Sequence, residues 1–103
     1  MRYEIVLSPE AVEDLRNLRA NVRAAVRDAI ERHLRHNPAR DSRSRIKRLR
    51  GLTRPQCRLR VGEVRVFYDV AERQVQVLAI IAKSEAATWL RKEGETDEAS
   101  GAF

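Results

Sequence analysis

The sequence predicts a small α+β domain: a four-stranded, mainly antiparallel sheet packed on an N-terminal helical hairpin, with elements in the order βααβββα. Three observations carry that expectation. Strand-like runs occupy residues 3–7, 57–61, 64–70 and 75–81. Two stretches between residues 9 and 36 carry apolar side chains at helical spacing. A chain of 103 residues has room for one core and no second module.

The elements follow in order. Tyr3 to Leu7 is apolar and β-branched enough for a first strand. Ser8 then Pro9 reads as an N-cap followed by proline at the first helical position, with Glu10 complementing the dipole. The first helix is expected to run to about Arg19, with Ala11, Val12, Leu15 and Leu18 on one face. Asn21 is the expected cap of a second helix, in which Val22, Val26, Ile30 and Leu34 recur every four residues. Asn37-Pro38 stops it near His36. Residues 37–56 read as a polar, basic connector with two apolar anchors, Ile46 and Leu49, and a turn at Gly51. Cys57 to Val61 and Val64 to Val70 form a hairpin on Gly62-Glu63. A polar turn at Ala71 to Arg73 leads to Val75 to Ile81, apolar on both faces as in a central strand. A last helix is expected from Glu85 to about Lys92, capped by Ser84. The domain therefore spans residues 1–92, and the Gly-, Ser- and acid-rich stretch 93–103 is expected to be a disordered tail.

Composition narrows the function. Nine of the twenty-one Lys and Arg residues fall between Arg40 and Arg60, where Asp41 is the sole acid. The rest of the chain holds twelve bases against fourteen acids, so the net charge of +6 comes from this one window. Charge concentrated in this way suits a polyanion partner. Five aromatic residues do not make an obvious stacking platform for single strands. No apolar run is long enough to span a membrane. The N-terminus lacks a signal-peptide pattern, and a lone cysteine permits no intrachain disulfide and no multi-cysteine zinc site, so a cytoplasmic protein is expected.

The hairpin register concentrates the charge further. Val61 is expected opposite Val64, Arg60 opposite Arg65, Leu59 opposite Val66 and Arg58 opposite Phe67. Leu59, Val61, Val64, Val66 and Tyr68 then share the face covered by helices, and Arg58, Arg60 and Arg65 share the other. Like charges facing each other on a sheet cost about 0.2–1 kcal/mol per pair. Arginine grips phosphate with two parallel N–H donors, so this face reads as an anion site. The alternative is a solvated strand face neutralised by Asp69, Glu63 or acids of the tail. His33 and His36 lack neighbouring ligands and read as structural, with no metal site expected. Cys57 reads as a small buried hydrophobe, and Tyr68 as packing rather than acid–base chemistry. Trp89 reads as a cover over one end of the sheet, with stacking on a base or a partner as the alternative.

Three segments carry a family resemblance. Lys47-Arg48-Leu49-Arg50-Gly51, the block Cys57-Arg58-Leu59-Arg60-Val61-Gly62-Glu63-Val64-Arg65-Val66-Phe67-Tyr68-Asp69-Val70 and the following V-x-V-L strand resemble the RelE/ParE superfamily of toxins from type II toxin–antitoxin pairs. The resemblance covers about residues 2–90, includes the Ser-Pro-x-Ala entry to the first helix, and lies closer to the RelE side. It implies a toxin that inhibits translation by ribosome-dependent, metal-independent mRNA cleavage, an endoribonuclease without a cofactor. Its implied partners are a cognate antitoxin and the ribosome with its mRNA and rRNA. It implies that Arg58 and Arg65 serve the scissile phosphate and that Arg45, Lys47, Arg48, Arg50, Arg54 and Arg60 follow the RNA backbones. Cys57 stands where an aromatic residue is common, Val64 replaces a usual Tyr, and the H-R-x-x-x-Y-like ending is absent. Lys83 is then the candidate for the remaining proton transfer. Two other readings stay open: a ParE-like inhibitor of DNA gyrase without nuclease activity, and a non-enzymatic nucleic-acid-binding relative.

Overall fold

A computed structural model describes residues 2–42 and 44–96; Arg43 of the basic window and residues 97–103 of the expected tail lie outside the described residues. The chain runs β1 (Glu4–Leu7), α1 (Pro9–Arg16), α2 (Ala20–Leu34), β2 (Ile46–Arg48), β3 (Leu52–Arg54), β4 (Cys57–Val61), β5 (Val64–Ala71), β6 (Gln74–Ala82), α3 (Lys83–Glu93) and β7 (Glu95–Thr96). The α+β class and the helical hairpin against the sheet are as expected. The main sheet has five strands rather than four, in the order β1-β6-β5-β4-β2, and β3 pairs separately with β7. Only β1 and β6 run parallel within it.

The fifth strand comes from the basic connector. Ile46 pairs with Leu59 and drops into the core, while Lys47 and Arg48 stay exposed. A three-residue strand holds too little alternation to announce itself, and its charges suit an edge. Main-chain bonds from Arg60 N–H to the Arg45 carbonyl (2.8 Å) and from Leu49 N–H to the Gln56 carbonyl (2.9 Å) extend its pairing at both ends. Beyond it the chain from Glu93 onward is not all tail: α3 includes Glu93, and Glu95–Thr96 pairs with β3.

The helix boundaries differ from those expected where the caps differ. Ser8 does cap α1: its hydroxyl accepts from Ala11 N–H at 3.0 Å and donates to the Leu78 carbonyl at 3.0 Å. The Asp14 carboxylate accepts the Ile80 N–H at 3.0 Å. Since β1 pairs with β6 only as far as Val77, these two side chains satisfy main-chain groups of β6 beyond that pairing. The expected cap at Asn21 is inside α2, which starts at Ala20 after Arg19, without a side-chain cap. Ser84 likewise lies inside α3, whose capping position is Ala82. The first helix ends at Arg16 rather than Arg19, and the second at Leu34.

The hairpin register is as expected, with Val61 opposite Val64 and Arg60 opposite Arg65. Gly62 takes φ +56 there, the left-handed value that a Gly-first two-residue turn requires. On one sheet face Leu59, Val64, Val66, Tyr68, Val75, Val77 and Ile80 meet Ala11 and Leu15 of α1 and Val26, Ile30 and Leu34 of α2. Each buried Val, Leu or Ile contributes about 1.5–3 kcal/mol of burial, so this face holds the hairpin in place. The opposite face carries α3.

Cys57 belongs to the helix-side core, 1% exposed. Burial raises its thiol pKa, and the nearby Arg48 only partly opposes the rise. We expect it to resist alkylation by iodoacetamide at pH 8 in the native state and to react fully in guanidinium. Equal rates in the two states, read by mass spectrometry, would contradict its placement.

Candidate phosphate-binding site

The face opposite the hairpin is built from alternate residues of adjacent strands. Lys47 of β2 lies opposite Arg58 of β4, and Arg58 opposite Phe67 of β5. Arg60 lies opposite Arg65, and Arg65 opposite Ile81 of β6. The period-two alternation of CRLRV and VRVF therefore gathers three guanidinium-bearing residues on two neighbouring strands.

Arg65 is the unusual member, only 7% exposed. One guanidinium nitrogen, Nη1, donates to the Gly62 carbonyl at 2.9 Å and to the Val64 carbonyl at 3.0 Å. The side chain thus curls back onto its own turn. Burial lowers its pKa, and Arg58 and Arg60 lower it further against a weaker pull from Glu63. An arginine still keeps its proton, so the site holds a positive charge in a partly dry place. Among the described residues no carboxylate forms an ion pair with Arg65, Arg58 or Arg60. Arg58 Nε is hidden from solvent and has no hydrogen-bond acceptor among the described residues.

Asp69, expected as a neutralising acid, is committed elsewhere. Its carboxylate accepts the Gln56 N–H at 2.8 Å and pairs with Arg54 at 3.6 Å. Burial raises its pKa, with those two partners pulling the other way. Glu63 is exposed in the turn. A buried cation whose only partners among the described residues are main-chain carbonyls, beside two further cations, is matched by an anion with several acceptor oxygens.

Lys83 comes to the same end of the sheet. It is the exposed first residue of α3, its N–H donates to the Glu63 carbonyl at 2.8 Å, and the preceding Ala82 pairs with Val64. Both Lys83 and the Arg65 guanidinium therefore border the Gly62–Val64 turn. Lys47 of β2 and Arg45, the residue just before that strand, approach the face from its edge. Arg48 does not: it is paired with Cys57 and lies on the helix side of the edge. Arg50 is exposed in the turn between β2 and β3, and Arg54 is the partner of Asp69. Six of the nine expected residues thus gather around one face, and Arg48, Arg50 and Arg54 stand apart from it.

Trp89 covers part of this face. Its ring stacks on Phe67 with centroids 4.9 Å apart and planes inclined by 10°. Such a stack is worth about 0.5–1.5 kcal/mol beyond burial and anchors α3 over the sheet. Phe67, the one aromatic residue on the arginine side of the hairpin, was the signal for this contact. Among the described residues no three His, Cys, Asp or Glu side chains gather at ligand distance. The site's donors are cationic, so it suits an anion rather than a metal ion.

Residues 5–87 match the family described as ParE toxin of type II toxin-antitoxin system, parDE. The chain belongs to this family. It is a toxin of the RelE/ParE superfamily, and its fold is that of the RelE-like toxins. RelBE2 of Mycobacterium tuberculosis, solved as a toxin–antitoxin complex, matches at 24% identity and TM-score 0.66 over 80% of this chain and 99% of that one. The RelE–RelB complex of Pyrococcus horikoshii matches at 20% identity and TM-score 0.66 over 81% and 97%. Free RelE of E. coli, as a mutant, matches at 23% identity and TM-score 0.65 over 85% and 90%. At these identities the likeness is one of fold. No protein of curated function matches in sequence. No helix among the described residues of the toxin is long and apolar enough to cross a membrane.

Proposed function

We propose that the toxin halts translation by cutting mRNA in the ribosome, with the arginine face holding the scissile phosphate. The observation that carries this reading is Arg65, buried, charged and held by main-chain carbonyls with no carboxylate partner among the described residues. In the reaction the ribose 2′-oxygen attacks phosphorus, a 2′,3′-cyclic phosphate forms and the 5′-oxygen leaves. Arg65 and Arg58 meet the charge that builds on the phosphoryl oxygens, a task for which fixed guanidinium donors are suited. The leaving 5′-oxygen takes a proton from Lys83. The 2′-hydroxyl gives its proton to water or to ribosomal RNA, because Tyr68 and Cys57 face the opposite side of the sheet. Holding the three groups in line is left largely to the ribosome. The ribosome as partner makes the cytoplasm the site of action.

The cognate partner is an antitoxin, as in the M. tuberculosis and P. horikoshii complexes. A toxin of net charge +6 favours an acidic one, which would cover the unpaired arginines. A second reading is inhibition of DNA gyrase. It is favoured by the family's ParE description and by the lack, among the described residues, of a Tyr or His on the arginine face.

Induction in cells followed by mapping of mRNA 5′ ends separates the two. New ends at in-frame codon positions, absent when Arg58→Ala and Arg65→Ala are combined, support cleavage. Growth arrest with intact mRNA and DNA-damage signalling, equally strong in the double variant, would replace the nuclease reading with gyrase inhibition.

A further inference from the structure

Arg65 is held by the turn that precedes it. Its Nη1 has two hydrogens and two main-chain acceptors, the Gly62 carbonyl at 2.9 Å and the Val64 carbonyl at 3.0 Å. Its Nε–H and Nη2 donate to no group among the described residues. The carbonyls therefore fix one corner of the guanidinium and leave the Nε–Nη2 edge, one complete two-donor fork, for an anion. Arg58 and Arg60 have no such mount: among the described residues neither side chain donates to a main-chain carbonyl.

The same turn carries the start of α3. The Glu63 carbonyl accepts the Lys83 N–H at 2.8 Å. Consecutive carbonyls of one two-residue turn thus set the Arg65 guanidinium and the backbone of Lys83. Their directions depend on Gly62, whose φ is +56. An L-residue there favours a negative φ, which changes the turn type and swings the carbonyls. Space is not the constraint, because a Cβ at Gly62 would meet no atom within 4 Å. Gly51 is its match in the turn between β2 and β3, with φ +76 and equally open surroundings. Among the described residues no arginine side chain donates to the Gly51 carbonyl. The two glycines share a conformational demand, and only Gly62 has a buried cation hung from it.

We propose that Gly62 is a positioning residue, whose left-handed turn aims the Nε–Nη2 edge of Arg65 at the phosphate and sets Lys83 beside it. The inference rests on the nuclease reading of the arginine face and adds the main-chain element that orients it. An arginine side chain loses much rotamer freedom when it is held in one geometry. Here two carbonyls of the adjoining turn hold it before any anion arrives, so that loss does not fall on the binding step.

The sole cysteine allows the test in the full chain: residues 1–56 as a thioester are ligated at Cys57 to a synthetic 57–103 segment in which Arg65 alone carries isotope-labelled nitrogen. Held Nη1 hydrogens give resonances of their own, whereas those of a freely turning guanidinium merge. Wild type is compared with Gly62→Ala, with D-alanine at the same position, which takes a positive φ without strain, and with Gly51→Ala. Thermal melting verifies folding. Gly62→Ala is expected to merge the Nη1 resonances and to weaken inorganic phosphate, titrated on the Arg65 Nε–H shift, by about tenfold. On programmed ribosomes its single-turnover cleavage rate at saturation is expected to fall by about tenfold to a hundredfold, with the half-saturating concentration unchanged. The D-alanine chain is expected to match wild type in all three readouts, and Gly51→Ala in the resonances and the phosphate affinity. Gly62→Asn, tolerant of the left-handed region, is expected to fall between and carries the comparison if Gly62→Ala does not fold. Separate Nη1 resonances in Gly62→Ala, equal losses with L- and D-alanine, or the same merging in Gly51→Ala would overturn the proposal. So would an unchanged phosphate affinity once the resonances have merged. A chain that shows the expected resonances and phosphate binding yet cuts no mRNA would remove the nuclease reading alone.

Discussion

On the proposed nuclease reading, Arg65→Met is expected to lower ribosome-dependent mRNA cleavage by about 10²–10³-fold while leaving the protein folded. The two halves of that expectation have separate causes. Among the described residues the guanidinium is the one buried charge on the arginine face, and it has no carboxylate to lose. Removing one partner of a buried ion pair strands the other, whereas removing an unpaired buried charge relieves desolvation and like-charge repulsion from Arg58 and Arg60. Methionine is unbranched and fills a similar track. Against this gain stand the Gly62 and Val64 carbonyls, which lose one donor. We expect a melting temperature equal to or above wild type. Arg65→Lys restores charge without the planar fork and should recover only part of the rate. Single-turnover cleavage on programmed ribosomes, with thermal melting in parallel, measures both. A wild-type rate in Arg65→Met would exclude this residue from transition-state stabilisation. An inactive variant that has also lost its melting transition would make Arg65 a structural residue.

The same arginine illustrates what a sequence can and cannot disclose. Alternation in CRLRV and VRVF, joined by a two-residue turn, sets the register of β4 and β5 and therefore which side each arginine takes. That part is local and was legible. Depth is not local. Arg58, Arg60 and Arg65 look alike in the chain, yet one is buried, one half-buried and one exposed, because β2, β6 and α3 cover the face unevenly. The strand β2 itself was hidden, since Ile46 is its only core-facing apolar residue and its pairing with β4 supplies the rest. Asp69 sits four residues after Arg65, close enough in sequence to look like its counter-charge. It is turned instead toward Gln56 and Arg54 by the return of the chain through β3. The starts of α2 and α3 differ from expectation for a simpler reason: neither has a capping side chain, and no residue type announces a start set by tertiary packing.

Tyr68→Phe is expected to do the reverse of Arg65→Met, weakening the fold and sparing the chemistry. Tyr68 is fully buried on the helix side, and its hydroxyl donates to the Pro38 carbonyl at 2.6 Å. Burial pushes its pKa upward, and the neighbouring Cys57 adds to the rise, so the phenol is a neutral donor at any physiological pH. It ties the core of β5 to the first turn of the connector, which then runs through Arg40 and Arg45 into β2. Phenylalanine keeps the ring packing and removes only the oxygen. The Pro38 carbonyl is then left buried without this donor, at a cost of about 1–3 kcal/mol. For a domain of this size that lowers the melting temperature by roughly 5 °C or more. Cleavage per folded molecule, measured well below the transition, should stay within about twofold of wild type, because the phosphate face lies across the sheet. Should Tyr68 instead transfer a proton in the reaction, the rate would fall with the melting temperature unchanged. The Phe variant distinguishes these two roles directly, since it removes the one titratable oxygen and almost none of the buried surface.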